Sequence, residues 1–164
     1  MAHAGDEAYL EESARRALPG EAVEAAGIFS WQGLLVAGTV GVAAGATAGD
    51  LLAGGGGEAV GAALGYRAAV EAAAASQGMT VRLLVVVTPD SVRVLRWEGD
   101  DAGAEVRRFD RATTDVHVSK MGLSRILTLH DTVTNESFAL HGSVAPFSVQ
   151  SKPDKVVLHL LTTG

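Results

Sequence analysis

VRLLVVVTPDSVRVLRW, residues 81–97, decides the fold of this 164-residue chain. Two runs rich in β-branched residues flank Thr88-Pro89-Asp90-Ser91, where the proline ring presets φ for a turn. The stretch therefore reads as strand, turn, strand. Downstream, EVRRFDR (105–111), TDVHVSK (114–120), SRILTLHD (124–131) and ESFALHG (136–142) repeat the short apolar alternation at regular intervals. Six short strands with short connections predict an antiparallel meander. One register satisfies the pattern: Leu127 opposite Leu140 and Leu129 opposite Phe138, all pointing inward, with Thr132–Asn135 as the loop. SKPDKVVLHLL (151–161) opens with Ser151 and Asp154 at capping-box spacing and sets Val157, Leu160 and Leu161 on one stripe. That predicts a closing helix over 153–161.

Upstream, DEAYLEESARRAL (6–18) places Leu10, Ala14, Ala17 and Leu18 on one helical face. Glu11–Arg15 and Glu12–Arg16 have the spacing of favourable helical pairs, and Pro19-Gly20 stops the helix. EAVEAAGIFSW (21–31) reads either as a strand with Val23 and Phe29 on one face or as more helix.

From Ile28 to Gly49 the chain carries no charge over 22 residues. The run Gly54–Gly57 then forces a turn, because each interior glycine costs a helix about 1 kcal/mol relative to alanine. Glu58 suits the N-terminus of a following helix, where the dipole favours an acid. A helical hairpin over about 33–53 and 58–77 is expected. Gly41, Gly45 and Gly49 share one of its faces, as do Gly57, Gly61 and Gly65. Such faces allow two helices to approach backbone to backbone. They imply assembly into a homo-oligomer, packing within the hairpin, or insertion in a bilayer. The uncharged run clears the usual spanning length of about 20 residues, and Trp31 stands at its edge. Its Gly, Ala, Thr, Ser and Gln content and the charge of Glu58 argue for a soluble or oligomer-forming hairpin instead.

Charge narrows the partners. The net charge is −6, and residues 81–164 carry ten acids and ten bases, so no part has the basic excess of a nucleic-acid binder. There are no cysteines, which removes disulfides and thiolate metal sites. The acidic N-terminus has no apolar run of a secretory signal, so a cytoplasmic location is expected, in contact with the inner face of the cell membrane if the hairpin inserts.

Residues 81–161 resemble bacterial PH-like (pleckstrin-homology-like) domains. The resemblance rests on the strand-turn-strand LLVVVTPDSVRVLRW, the phrase RRFDRATTDVHV, the hairpin LTLHDTVTNESFALHG and the closing DKVVLHLL. Such domains often carry a line like LPGEAVEAAGIF before the sheet, which favours the strand reading of 21–29 and makes the glycine hairpin an insertion. Actinobacterial proteins with a glycine-rich segment before a PH-like domain look similar throughout. The basic cluster with which PH domains grip phosphoinositides has no counterpart: the first loop is TPDS, with only Arg82, Arg93 and Arg96 near it.

The same residues carry no complete catalytic signature. In the register above, His130 faces Ser137 and His141 faces Ile126, both outward and roughly 13 Å apart at about 3.3 Å per residue, too far for one metal. His117 also points outward. GLSR (122–125) lacks the closing glycine of a nucleophile elbow, and GGGG lacks the strand and Lys-Ser/Thr of a phosphate loop. Arg107, Arg108, Arg111, Arg125 and Lys120 are interleaved with Glu105, Asp110 and Asp115, as in a salt-bridged solvated face.

The expectation is an α+β chain: a PH-like antiparallel partial barrel with a C-terminal helix, plus an Ala/Gly-rich helical hairpin. Its parts are an amphipathic helix at 1–19, a first strand within 20–32, the glycine-zipper insertion at 33–78, and the β domain with its helix at 79–164. No catalytic residue, metal or cofactor is expected. The expected role is a non-catalytic scaffold or adaptor, membrane-associated or self-assembling, with an unidentified protein partner. The alternatives are a soluble peptide- or protein-binding module with the hairpin as a packed lid and, behind it, an enzyme of unknown type.

Overall fold

The computed structural model describes residues 6–31, 80, 82–143 and 151–163. The chain divides into two units, Met1–Trp31 with Arg82–Gly164, and Gln32–Val81. The expected helical hairpin over 33–53 and 58–77, with its zipper glycines, lies outside the described residues.

Helix α1 spans Glu7–Ala17. Asp6 caps it, its side chain accepting a hydrogen bond from the Tyr9 N–H at 3.2 Å, and Gly20 leaves it with φ of +84°. The strands follow: β1 (Ala25–Trp31), β2 (Arg82–Val87), β3 (Ser91–Glu98), β4 (Asp101–Asp110), β5 (Thr114–Met121), β6 (Ser124–Asp131) and β7 (Ser137–Ser143). Helix α2 (Ser151–Thr163) ends the described chain. All seven strands form one antiparallel sheet in the order β4-β3-β2-β1-β7-β6-β5.

The predicted register of the last hairpin holds, with Leu127 opposite Leu140 and Leu129 opposite Phe138. Other boundaries shift. The first strand starts at Ala25 rather than Glu21, so Val23 precedes it. β4 begins at Asp101, four residues before the predicted Glu105, because Gly99 at φ of +64° turns the chain tightly and the small residues of DAGA pair with the end of β3. The closing helix begins at Ser151, and Asp154 lies buried against β1: a Cβ added at Gly27 would stand 3.0 Å from its Oδ1.

Alternation splits β1 and β2 into two buried faces. Ala26, Ile28, Leu84 and Val86, with Leu95 and Trp97 of β3, pack under Leu10, Ala14 and Leu18 of α1. Phe29, Leu83, Val85 and Val87 face the other way, toward the side on which α2 lies with its buried Val157. On that side Phe109 of β4 meets Phe138 of β7 at 6.3 Å, although four positions separate these strands in the sheet, so the sheet folds over on itself. Burial on both faces accounts for the near-continuous apolar run LLVVV. Around the second face, Gly142 allows the Phe29 ring to approach where a Cβ would stand 2.5 Å from it.

Candidate functional site

Four places in the described residues hold polar chemistry beyond the Thr88–Asp90–Ser91 turn, where Thr88 Oγ1 accepts from the Ser91 N–H at 3.0 Å. The first is the seam between α1 and β4. The Tyr9 hydroxyl donates to the Asp100 carbonyl at 2.8 Å, and Arg16 pairs with Asp101 at 3.0 Å. Arg16 therefore does not pair with Glu12 as its spacing suggested: Glu12 lies 3.8 Å from Arg15, which also holds Glu11 at 2.8 Å. The Arg16 hydrogen bond, and after it the Ala102 N–H, hold the Asp101 carboxyl below its ordinary pKa.

The second place is Arg93, on the outer face of β3. Its side chain is 11% exposed and bridges Glu21 at 3.0 Å and, more closely, Glu105. Burial pulls its pKa down, but Glu105 and Glu21 outweigh that and hold it above the ordinary value. This is a structural cross-tie of three segments, with Nε turned to Glu105 and Nη1 to Glu21.

The third is the outer face of β5–β7. Its rungs read Asp115–His130–Ser137, His117–Thr128–Ala139 and Ser119–Ile126–His141. The placement of all three histidines agrees with the sequence reading. His130 Nδ1 and Ser137 Oγ share a hydrogen bond of 2.7 Å. Asp115 is not ion-paired to His130, and the pair sits on an open sheet face without a cleft of oriented donors, so it lacks the geometry that activates a serine. Among the described residues no three His, Asp or Glu side chains group as metal ligands.

The fourth is the pair of outer strands, β4 and β5, each with a strand neighbour on one side only among the described residues. β4 is irregular, with register shifts between Val94 and Leu95 and between Leu95 and Trp97. β5 pairs with β6 without a break from Thr114 to Met121, and its inward Val116 and Val118 are only half-buried. Between the edges, Arg107 lies over the Phe138 ring at 5.8 Å, and Trp31 stacks on the same ring at 6.3 Å. The predicted salt-bridged face of arginines does not form. Arg111 reaches back to Glu24 at 3.0 Å, Arg107 turns inward, and Arg125 donates to the carbonyls of Gly122 and Ser124. Pairing elsewhere explains this: Glu105 is taken by Arg93 of the neighbouring strand, and the Asp110 carboxylate accepts from the Ala112 N–H, so the interleaved acids on which the reading rested are not partners of these cations.

No helix among the described residues is long and apolar enough to cross a membrane. No protein family, curated protein or solved structure matches the chain.

Proposed function

We propose that the chain is a non-catalytic PH-like scaffold, a partial barrel closed by α2, held at a membrane or joined to its own copies by the glycine-zipper hairpin. The observation that supports this reading most is the division of the chain at one connection. β1 and β2 pair directly over six residue pairs, yet residues 32–81 intervene between them and make a unit of their own. A segment attached to a finished hairpin of strands is free to serve attachment rather than the sheet. The antiparallel order ending in a helix against β1 is what the PH-like resemblance implies. The interior then provides rigidity, and the zipper faces of Gly41, Gly45, Gly49 and Gly57, Gly61, Gly65 provide contact.

The test is a pair of substitutions read by alkaline extraction of native membranes and by size exclusion. Gly45→Leu should overpack a close helix contact, at about 1–3 kcal/mol, and release the protein from the pellet or dissociate its oligomer. Gly45→Ala should behave like the parent. Equal behaviour of both variants and the parent would sink the zipper as a contact surface.

A second reading has its own support. The regular outer edge of β5, which has no strand partner among the described residues and has Val116 and Val118 half-buried beside it, suits an extended peptide adding a further strand.

A further inference from the structure

Two large apolar side chains stand exposed among the described residues, Leu123 at 62% and Val133 at 75%. They sit at opposite ends of β6, in the β5–β6 turn and the β6–β7 loop, and their electrostatic settings are opposite. Val133 is surrounded by acid: Asp131 accepts hydrogen bonds from the N–H groups of Val133 and Thr134, at 2.8 and 3.3 Å, and Glu136 follows. Leu123 is flanked by Lys120 and Arg125, which lie directly opposite each other across the hairpin.

Like charges facing each other across a ladder destabilise it. Neither cation is ion-paired with a carboxylate among the described residues; Arg125 uses its guanidinium on the carbonyls of Gly122 and Ser124 at 3.1 and 2.9 Å, which fixes the turn. The hairpin's own acids, Asp115 and Asp131, are at its root. Five residues separate Asp115 from Lys120 along β5, or about 16 Å at 3.3 Å per residue, beyond a Debye length of about 8 Å at physiological salt. The hairpin is thus polarised, with an apolar residue and two unneutralised cations at the tip and acids at the base.

We propose that this tip, Lys120–Arg125 with Leu123, is a contact site for an anionic lipid surface, Leu123 entering the headgroup boundary and the two cations meeting lipid phosphates. A turn apex offers no groove for a peptide, whereas a bilayer needs only a small apolar wedge beside positive charge. The tip deepens the membrane arm of the proposed function and rests on it, but uses none of the zipper residues.

The experiment is co-sedimentation of the full chain with vesicles of phosphatidylcholine alone or mixed with phosphatidylglycerol, at low and high salt. The parent should bind the anionic vesicles and lose them as salt rises. Lys120→Glu, which disturbs no hydrogen bond of the turn, should weaken binding about tenfold or more, since each basic residue near such a surface contributes about fivefold and reversal removes and opposes it. Leu123→Ser should weaken it about tenfold or more through lost apolar burial. Val133→Ser, equally exposed but among acids, should leave binding unchanged. Binding to both vesicle types that survives Lys120→Glu and Leu123→Ser would overturn the tip while leaving insertion of the zipper hairpin standing. Loss of binding in the tip variants, with Gly45→Leu indistinguishable from the parent, would instead uphold the tip and sink the zipper as a membrane anchor. Absence of vesicle binding, or capture of soluble polyglutamate in its place, would overturn the lipid proposal.

Discussion

The strands β1–β3 and β5–β7 belong to one sheet but live in different solvents. β1 and β2 are covered twice, by α1 outside and by the folded-over sheet and α2 inside, and β2 is buried in every position after Arg82. The outer face of β5–β7 carries Asp115, His117 and Ser119 in the open. The sequences differ accordingly: RLLVVV against TDVHVSKM. Hydrophobic periodicity counts covered faces, so an unbroken apolar run announces a second layer even before that layer is identified.

The sharpest way to break this comparison is to truncate equivalent outer faces. Leu84→Ala, beneath α1, should cost about 2–5 kcal/mol in urea unfolding, as for other fully buried leucines. Thr128→Ala, on the outer face of β6, should stay within about 0.5 kcal/mol. Similar costs at the two sites would mean that α1 does not shield β2 as described.

A smaller effect is expected where the two regions join. Gly142 of β7 sits against the Phe29 ring of β1, and Gly142→Ala puts a methyl where only 2.5 Å is open. The ring is buried and cannot swing into solvent, so about 1–3 kcal/mol of overpacking should appear as a lower urea midpoint. Gly103→Ala meets only the far end of the Glu98 side chain, at 3.0 Å, and should be milder.

The smallest effect is electrostatic and depends on pH. Asp101 is held below its ordinary pKa by Arg16, across two elements, whereas Asp131 is held low by the N–H groups of Val133 and Thr134 in its own loop. A lowered folded-state pKa contributes stability above the unfolded value of about 3.9, and this is lost as pH falls through the folded value. Asp101→Asn should therefore weaken the protein slightly at neutral pH and flatten its loss of stability in acid. Amide exchange should rise in α1 for Asp101→Asn, and only in residues 132–135 for Asp131→Asn. Exchange spreading from Asp131→Asn into α1 would show that the two halves are coupled.

The β hairpins, their inward pairs and the outward histidines were legible because alternation is local information: Leu127, Leu129, Phe138 and Leu140 admit one register. The start of β4 was not, since DAGA carries no hydrophobic alternation and its Asp101 and Ala102 meet Glu98 and Trp97 only because Gly99 turns the chain back onto β3. Nor was the partner of Arg16, because Asp101 comes to it through tertiary packing of α1 on β4. The cation pair at the hairpin tip was visible as two letters, but the long basic and acidic series around it concealed which charges meet. Only the rung that sets Lys120 opposite Arg125 separates them.

The position of β1 in the strand order has a consequence for synthesis. Its Trp31 pairs with Leu140, so the central joint of the sheet closes only after 140 − 31 = 109 further residues have been made. At about 5–20 residues per second that is an interval of about 5–20 s on the ribosome. During it β1 can take β2 on one side while its other edge has no strand of its own chain to accept. The order of translation therefore makes the β1–β7 joint a late one, formed only after β2 to β6 have all left the ribosome.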